Sequence, residues 1–234
     1  MNEMIITMKN VSKIFETEEM ETHALKNIDL TIKAGDYISI SGPSGCGKST
    51  LLSILGLLDT PTAGEYFIEG VNVAKLSLDQ AAEVRNQKIG FVFQSFNLID
   101  ELSVFDNVAL PLRYRNEALS NAQIKLLVSE CLEKVAMNHR VNHKPNQLSG
   151  GQQQRIAMAR ALVCNPTILL VDEPTGNLDS KSGDKVMDIL ETLNRNGTTI
   201  CLVTHDPRYA DLAKTKLKLL DGSFLQVPGM RAAI

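Results

Sequence analysis

The chain has 234 residues, 44% hydrophobic and 22% charged, with a net charge of −3. This is the composition of a globular protein long enough for one large core or two lobes. Its charge gives no overall basic character that would draw it to nucleic acid or anionic lipid. The longest apolar stretch, Leu51 to Leu58, is broken by Ser53 and Gly56 and is far short of the roughly 20 residues of a membrane-spanning helix. Met1 to Asn10 lacks the basic region and apolar core of a secretion signal. Any action at a membrane therefore calls for docking on another chain. Cys46, Cys131, Cys164 and Cys201 are widely spaced with no C-x-x-C pair, and read as reduced thiols of a cytoplasmic protein.

In chain order, the first clear element is the β-branched run Tyr37 to Ser41, followed by Gly42, Pro43, Ser44, Gly45, Cys46, Gly47, Lys48, Ser49 and Thr50. These nine residues spell G-x-x-x-x-G-K-[ST], and Lys48 to Leu58 reads as a helix, so strand, glycine loop and helix stand in the order a phosphate loop requires. Between Gln94 and Leu148 no convincing core strand is found. Ser120 to Gln123 reads as a capping box before the stripe Ile124, Leu127, Val128, Cys131, Leu132 and Val135. The spacing predicts a helical lobe of about 60 residues inserted into an α/β core. Leu148, Ser149, Gly150, Gly151 and Gln152 then form a glycine-rich turn opening a helix to about Val163. Thr167 to Asp172 and Thr198 to His205 are continuous apolar runs, as expected of strands buried on both faces of a parallel sheet. Ser182 to Arg195 reads as the helix between them, with Gly197 at its C-terminal cap. The tail after Gly222 reads as peripheral, and no internal repeat is visible.

The chemistry follows from these placements. The loop glycines let several backbone N–H groups aim at phosphate oxygens, and the helix adds its positive N-terminal end. Lys48 can reach the β- and γ-phosphates, and the Ser49 hydroxyl can ligate Mg²⁺. A buried strand ending at Asp172 and Glu173 places two carboxylates beside the loop. Asp172 suits the metal through its water shell, and Glu173 suits the polarisation of an attacking water. Pro174 stops the strand from pairing onward. Ser149, Gly150 and Gly151 form a second anion receptor at a helix start. The inserted lobe holds it far from the phosphate loop, so head-to-tail dimerisation is expected, each receptor capping the nucleotide held by the other copy.

Over essentially its whole length the chain resembles the ABC-type ATPases, the nucleotide-binding subunits of ATP-binding cassette transporters. The motifs that carry the resemblance are Gly42 to Thr50, Gln94, Leu148 to Gln152, Ile168 to Glu173, Asn177 to Asp179, and His205. The resemblance implies a P-loop NTPase core with a mixed, mainly parallel sheet flanked by helices, N-terminal antiparallel strands and an inserted α-helical subdomain. It divides a single domain, 1–234, into a core at about 1–94 and 161–222, a helical subdomain at about 95–160 and a tail at 223–234. It implies ATP and Mg²⁺ as ligands, with Ser49, Gln94 and Asp172 at the metal and Glu173, His205 and Lys48 catalytic. Gln94 would report nucleotide state to the membrane partner, Asp179 would lie at the dimer seam, and His205 would contact the γ-phosphate. Phe15 stands where relatives stack an aromatic on adenine; it also reads simply as an apolar residue of an N-terminal strand. Cys46, often Ser in relatives, is expected to have no role of its own; the testable alternative is an exposed thiol beside the phosphates, open to alkylation and protected by MgATP.

Within the family, Gly56 to Gly64, Gln94 to Ile99, Asp106 to Leu112 and Pro174 to Asp179 resemble the lipoprotein-release and macrolide-export group. This implies an ATPase driving a separate integral-membrane permease from the cytoplasmic face of the cell membrane, with no direct contact with the transported molecule. Phe96, Leu98, Ile99, Leu102 and Val104 would line the groove for the permease's cytoplasmic helix, or else pack the helical lobe. Two other readings stand beside the transport subunit. One is a regulator that couples ATP hydrolysis to a membrane partner without transport; the other is a soluble ABC ATPase. The absence of an N-K-x-D guanine-reading motif argues against a small GTPase.

Overall fold

The computed structural model describes residues 3–17 and 20–225. Its first strands are β1 (Met4–Glu16), β2 (Glu21–Lys33) and β3 (Tyr37–Ser41). Helix α1 (Lys48–Leu55), β4 (Ala63–Ile68), β5 (Val71–Asn72), α2 (Leu78–Lys88) and β6 (Ile89–Val92) follow. Next come α3 (Val104–Arg113), α4 (Asn121–Lys134), two short 3₁₀ turns, and α5 (Gly150–Leu162). The chain then alternates through β7 (Ile168–Asp172), α6 (Ser180–Arg195), β8 (Thr199–Val203), α7 (Pro207–Ala210), β9 (Thr215–Leu220) and β10 (Ser223–Phe224). As the apolar patterning implies, no strand lies between Val92 and Ile168 among the described residues.

Two sheets result. One has the order β2-β1-β4-β5 and is antiparallel; the other has the order β10-β9-β3-β8-β7-β6 and is parallel except at its β10 edge. The continuous apolar runs are explained by what covers them. Leu169, Val171, Ile200 and Leu202 face one hydrophobic core, shared with α3 to α6, while Ile168, Leu170, Cys201 and Val203 face a second, shared with α1 and the antiparallel sheet. Strands sandwiched in this way have no solvent face on which a polar alternation could survive.

Local signals set the helix ends. Ser120 and Gln123 close the expected capping box on α4, whose stripe residues Val128, Cys131, Leu132 and Val135 are buried. After α6, Gly197 takes φ +98°, a left-handed C-terminal position that a side chain would strain. The strand expected to reach His205 ends at Val203 instead, because the chain turns there into the short helix α7 capped by Asp206. Ser223 and Phe224, expected in a peripheral tail, pair with Leu220 and Leu219 and extend the sheet; the rest of that tail, 226–234, lies outside the described residues.

Helix α5 packs on both α3 and β6. Its approach to β6 is set by Gly90, where an added Cβ would stand 2.4 Å from the Ala161 carbonyl oxygen and 2.9 Å from Leu169 Cδ1. Gly90→Ala must push a helix backbone off the sheet, an overpacking cost of about 1–3 kcal/mol. Thermal denaturation should show this as a lowered midpoint, by about 2–4 °C per kcal/mol for a chain of this size. An unchanged midpoint would mean that α5 can step back without loss.

Candidate functional site

Parallel register brings the functional ends of the strands to one edge. Ile40 pairs with Val203, Val203 with Asp172, and Val171 with Val92. Gly42, His205, Glu173 and Gln94 therefore all lie one or two residues beyond a common row, at the carboxyl edge where open α/β sheets bind ligands. A cavity of about 690 Å³ opens there, lined by Ser44, Gly45, Gly47 to Thr50, Gln94, Asp172 and Glu173.

The loop after β3 is built to hold an anion. Gly45 and Gly47 have φ +78° and +104°, and a Cβ on Gly47 would meet the Ala24 carbonyl oxygen at 2.5 Å. Helix α1 has no side-chain cap and no acidic residue in its first turn, which leaves its N-terminal N–H groups to a ligand. Lys48 Nζ donates to the carbonyl oxygens of Gly42 at 2.9 Å and Pro43 at 2.8 Å, holding its charge over the loop.

Across the cavity Asp172 and Glu173 stand side by side. Burial, and then the neighbouring Glu173 carboxylate, push the Asp172 carboxyl above its ordinary range, while Lys48 pulls it back. Glu173 sits at φ +44°, a left-handed conformation uncommon outside glycine. Its N–H donates to the Val203 carbonyl, and its Oε1 is 2.9 Å from His205 Nδ1. Gln94 is held by Asn177, whose Nδ2 donates to the Gln94 carbonyl at 3.1 Å. Two adjacent carboxylates in a desolvated cleft, with the Ser49 hydroxyl and the Gln94 amide alongside, form an all-oxygen donor set. That set fits Mg²⁺, which prefers one or two carboxylates plus substrate phosphates.

The remaining expected residues lie elsewhere. Ser149 caps α5, accepting the Gln152 N–H while Gln152 Oε1 accepts the Ser149 N–H. Gly150 packs on Leu178 and Phe96 and Gly151 on Ser182, so this turn abuts the segment leading to Asp179, which caps α6. None of residues 149–152, nor Asp179, lines the cavity. Gly42 and the exposed Pro43 also lie outside the lining, and a Cβ on Gly42 would lie 2.2 Å from the Leu219 carbonyl oxygen. Phe15 stays outside the lining, opposite Thr22, which belongs to it, and carries Lys13 Nζ 5.0 Å from its ring centroid.

Two expectations are corrected. Cys46 is only 4% exposed, its sulfur turned toward Gly42, so the thiol is packed beneath the loop rather than offered to reagents. The apolar set expected at a partner groove is split: Val104 is fully buried in the core, Leu98 packs against that core and Phe96 lies against Gly150, while Leu102 is half-buried and Ile99 exposed. A groove of about 800 Å³ does open nearby, between α2, α3, β6 and α5, with Phe91, Phe93, Leu110, Pro111 and Tyr114 among its walls. Phe91 and Phe93 stack there, ring centroids 4.1 Å apart. Sequence reasoning also missed the far wall of the nucleotide-sized cavity, made by Thr22 to Ala24, Lys26, Asp221 and Gly222. Only long-range pairing assembles it, through the Lys26 N–H to the Gly222 carbonyl and the Gly222 N–H to that of Cys46.

Comparison with known proteins agrees with this geometry. A family model described as ABC transporter matches residues 25–176. The chain is 50% identical over 222 residues to the uncharacterized ABC transporter ATP-binding protein MJ0796 of Methanocaldococcus jannaschii, covering 93% of this chain and 94% of the relative. It is 45% identical over 225 residues to the macrolide export ATP-binding/permease protein MacB of Escherichia coli, covering 96% of this chain and 34% of MacB. A solved dimeric structure of the MJ0796 cassette in a post-hydrolysis state, bound to ADP and Pi, matches with a TM-score of 0.86 at 46% identity, covering 95% of this chain and 97% of that one. Among the described residues no helix is long and apolar enough to cross a membrane.

The raised Asp172 carboxyl has a consequence for stability. The folded state favours its protonated form more than the unfolded state does, so above the folded pKa the ionised group destabilises the ligand-free fold. Asp172→Asn should raise the ligand-free melting temperature at pH 7. The gain should shrink on acidification and vanish below the ordinary Asp value of 3.8, where both states are protonated. A melting temperature lowered at pH 7 would contradict this.

Proposed function

This chain belongs to the ABC transporter family, and from that premise we propose that it hydrolyses ATP to power a membrane permease, working as a head-to-tail pair at the inner membrane face. The observation that carries the reading is the separation of two anion receptors. The phosphate loop shares a cavity with Asp172, Glu173 and Gln94, whereas Ser149, Gly150 and Gly151 lie outside it. A second copy related by a two-fold axis would bring its receptor over the γ-phosphate and complete two equivalent sites. The dimeric MJ0796 structure supports this pairing.

In the proposed site Lys48 exchanges the carbonyls of Gly42 and Pro43 for β- and γ-phosphate oxygens. Ser49, Asp172 and Gln94 would hold Mg²⁺, which would supply neutralisation of the phosphate charge. Glu173 accepts a proton from water as the water oxygen bonds to the γ-phosphorus. The bond from that phosphorus to the bridging oxygen breaks, and ADP leaves with its electron pair. His205 Nδ1, 2.9 Å from Glu173 Oε1, orients that carboxylate, and the imidazole, which lies outside the cavity lining in the ligand-free chain, would reach in to the γ-phosphate. Phe15, at the rim across from Thr22, supplies the stacking surface for adenine. Asp179 holds its loop against Gly150 at the dimer seam.

The segment of about 95–160 serves as the lobe that carries the second receptor. The aromatic-floored groove between α2, α3, β6 and α5 would receive a cytoplasmic helix of the permease, in place of the surface that Leu98 to Val104 suggested. The name of MacB joins ATP-binding and permease functions in one protein, of which this chain spans about a third, and this supports a permease partner.

The decisive variant is Glu173→Gln. Turnover should fall by about 10²- to 10⁴-fold, the range for loss of a general base. The variant should still bind ATP and should elute as a dimer with MgATP and as a monomer without it. Wild-type turnover would overturn the role of Glu173, and a monomer at saturating ATP would overturn the pairing.

A further inference from the structure

Beyond Val92 the chain leaves the sheet, and side chains rather than a ladder take up its carbonyl groups. Gln154 Nε2 donates to the Phe93 carbonyl at 3.2 Å and Asn177 Nδ2 to that of Gln94 at 3.1 Å. Arg160 donates to the Phe96 carbonyl at 2.8 Å and to that of Asn97. Phe96 and Asn97 both have positive φ, +56° and +51°, conformations that persist where the surroundings over-determine them. Two of the three donors, Gln154 and Arg160, come from α5, whose N-terminus is the Ser149 to Gly151 turn.

Gln154 is the least expected of these residues. It is fully buried in the helix, and its Oε1 has no hydrogen-bond partner. An orphaned buried acceptor is destabilising, so an apolar side chain of the same size would serve packing better. What the amide contributes is its bond to the carbonyl one residue before Gln94.

We propose that Gln154 is a positioning residue that locks the peptide before Gln94 to α5. The amide assigned to the metal and the turn assigned to the partner's nucleotide then move as one body. Asn177 grips the next carbonyl from the other side, and a Cβ on Gly176 would meet Gln94 Nε2 at 2.6 Å, so Gln94 has little freedom once Gln154 holds its neighbour. The role of Gln94 in this proposal rests on the function proposed above.

The test is Gln154→Met in the full chain, which keeps side-chain length while removing both the donor and the orphaned acceptor. The melting temperature should equal or exceed that of the wild type, and ATP affinity without Mg²⁺ should stay within about twofold, because the phosphate loop is untouched. Amide hydrogen exchange across 93–97 should quicken by about 5- to 10-fold, the scale of one lost hydrogen bond. Turnover should fall by a similar factor with KM for ATP nearly unchanged, and the Mg²⁺ concentration for half-maximal activity should rise. Gln154→Leu provides a second apolar replacement with the same expected split. Unchanged exchange across 93–97 would overturn the proposal, as would loosened exchange with wild-type turnover and Mg²⁺ dependence. A wild-type chain that hydrolyses no ATP would sink the function proposed above, while the exchange measurement, which needs no turnover, still decides whether Gln154 holds the segment.

Discussion

The parallel hydrogen-bond row across β3, β8, β7 and β6 is the constraint from which the rest of the molecule follows. Because these strands run in one direction and in tight register, each delivers its next residues to the same edge. A phosphate loop, two carboxylates, a histidine and a glutamine separated by up to 163 positions thus become neighbours without any long loop to order. Burial on both faces fixes that register, since a slip of one residue would exchange the two cores that alternate residues of β7 and β8 occupy.

The site at that edge is under electrostatic tension in the ligand-free chain. Lys48 is satisfied by carbonyls of its own loop, whereas Asp172 is desolvated beside a second carboxylate. In the proposed function, a cation and a polyphosphate would relieve both conditions at once, the cation offsetting the paired carboxylates and the phosphates replacing the loop carbonyls at Lys48. Binding then gains from charge already arranged rather than from charge that must be moved.

Helix α5 links the regions around that edge. Its N-terminal turn touches the segment before Asp179, its middle holds Phe93, and Arg160 grips the chain beside the aromatic groove. The close approach at Gly90 fixes the helix to β6. A partner seated in the groove would therefore meet the same rigid element that carries the second anion receptor, so that a motion at one reaches the other through packed contacts rather than through a flexible loop.

Much of this was legible in the sequence, for local reasons. The phosphate loop, the capping box of α4 and the uninterrupted apolar runs of β7 and β8 depend on residues adjacent in the chain, and spacing alone reveals them; that Ser149 and Gln152 also close a capping box on α5 is shown by the structure. Residue type also singled out Asp172 and Glu173, because a buried strand ending in two carboxylates has few other uses. Tertiary structure decided what depends on distant contacts. Whether Cys46 faces solvent or the underside of its loop turns on Gly42 and β9, and the cavity wall at Asp221 exists only because Gly222 bonds to Lys26 and Cys46. Val104 reads as a groove residue by its neighbours in sequence, yet the packing of α3 turns it into the core. Local pattern determined which elements form and which chemistry they carry; long-range packing decided which side chains face a ligand, a partner or the core, because that choice belongs to pairs of elements and not to any one of them.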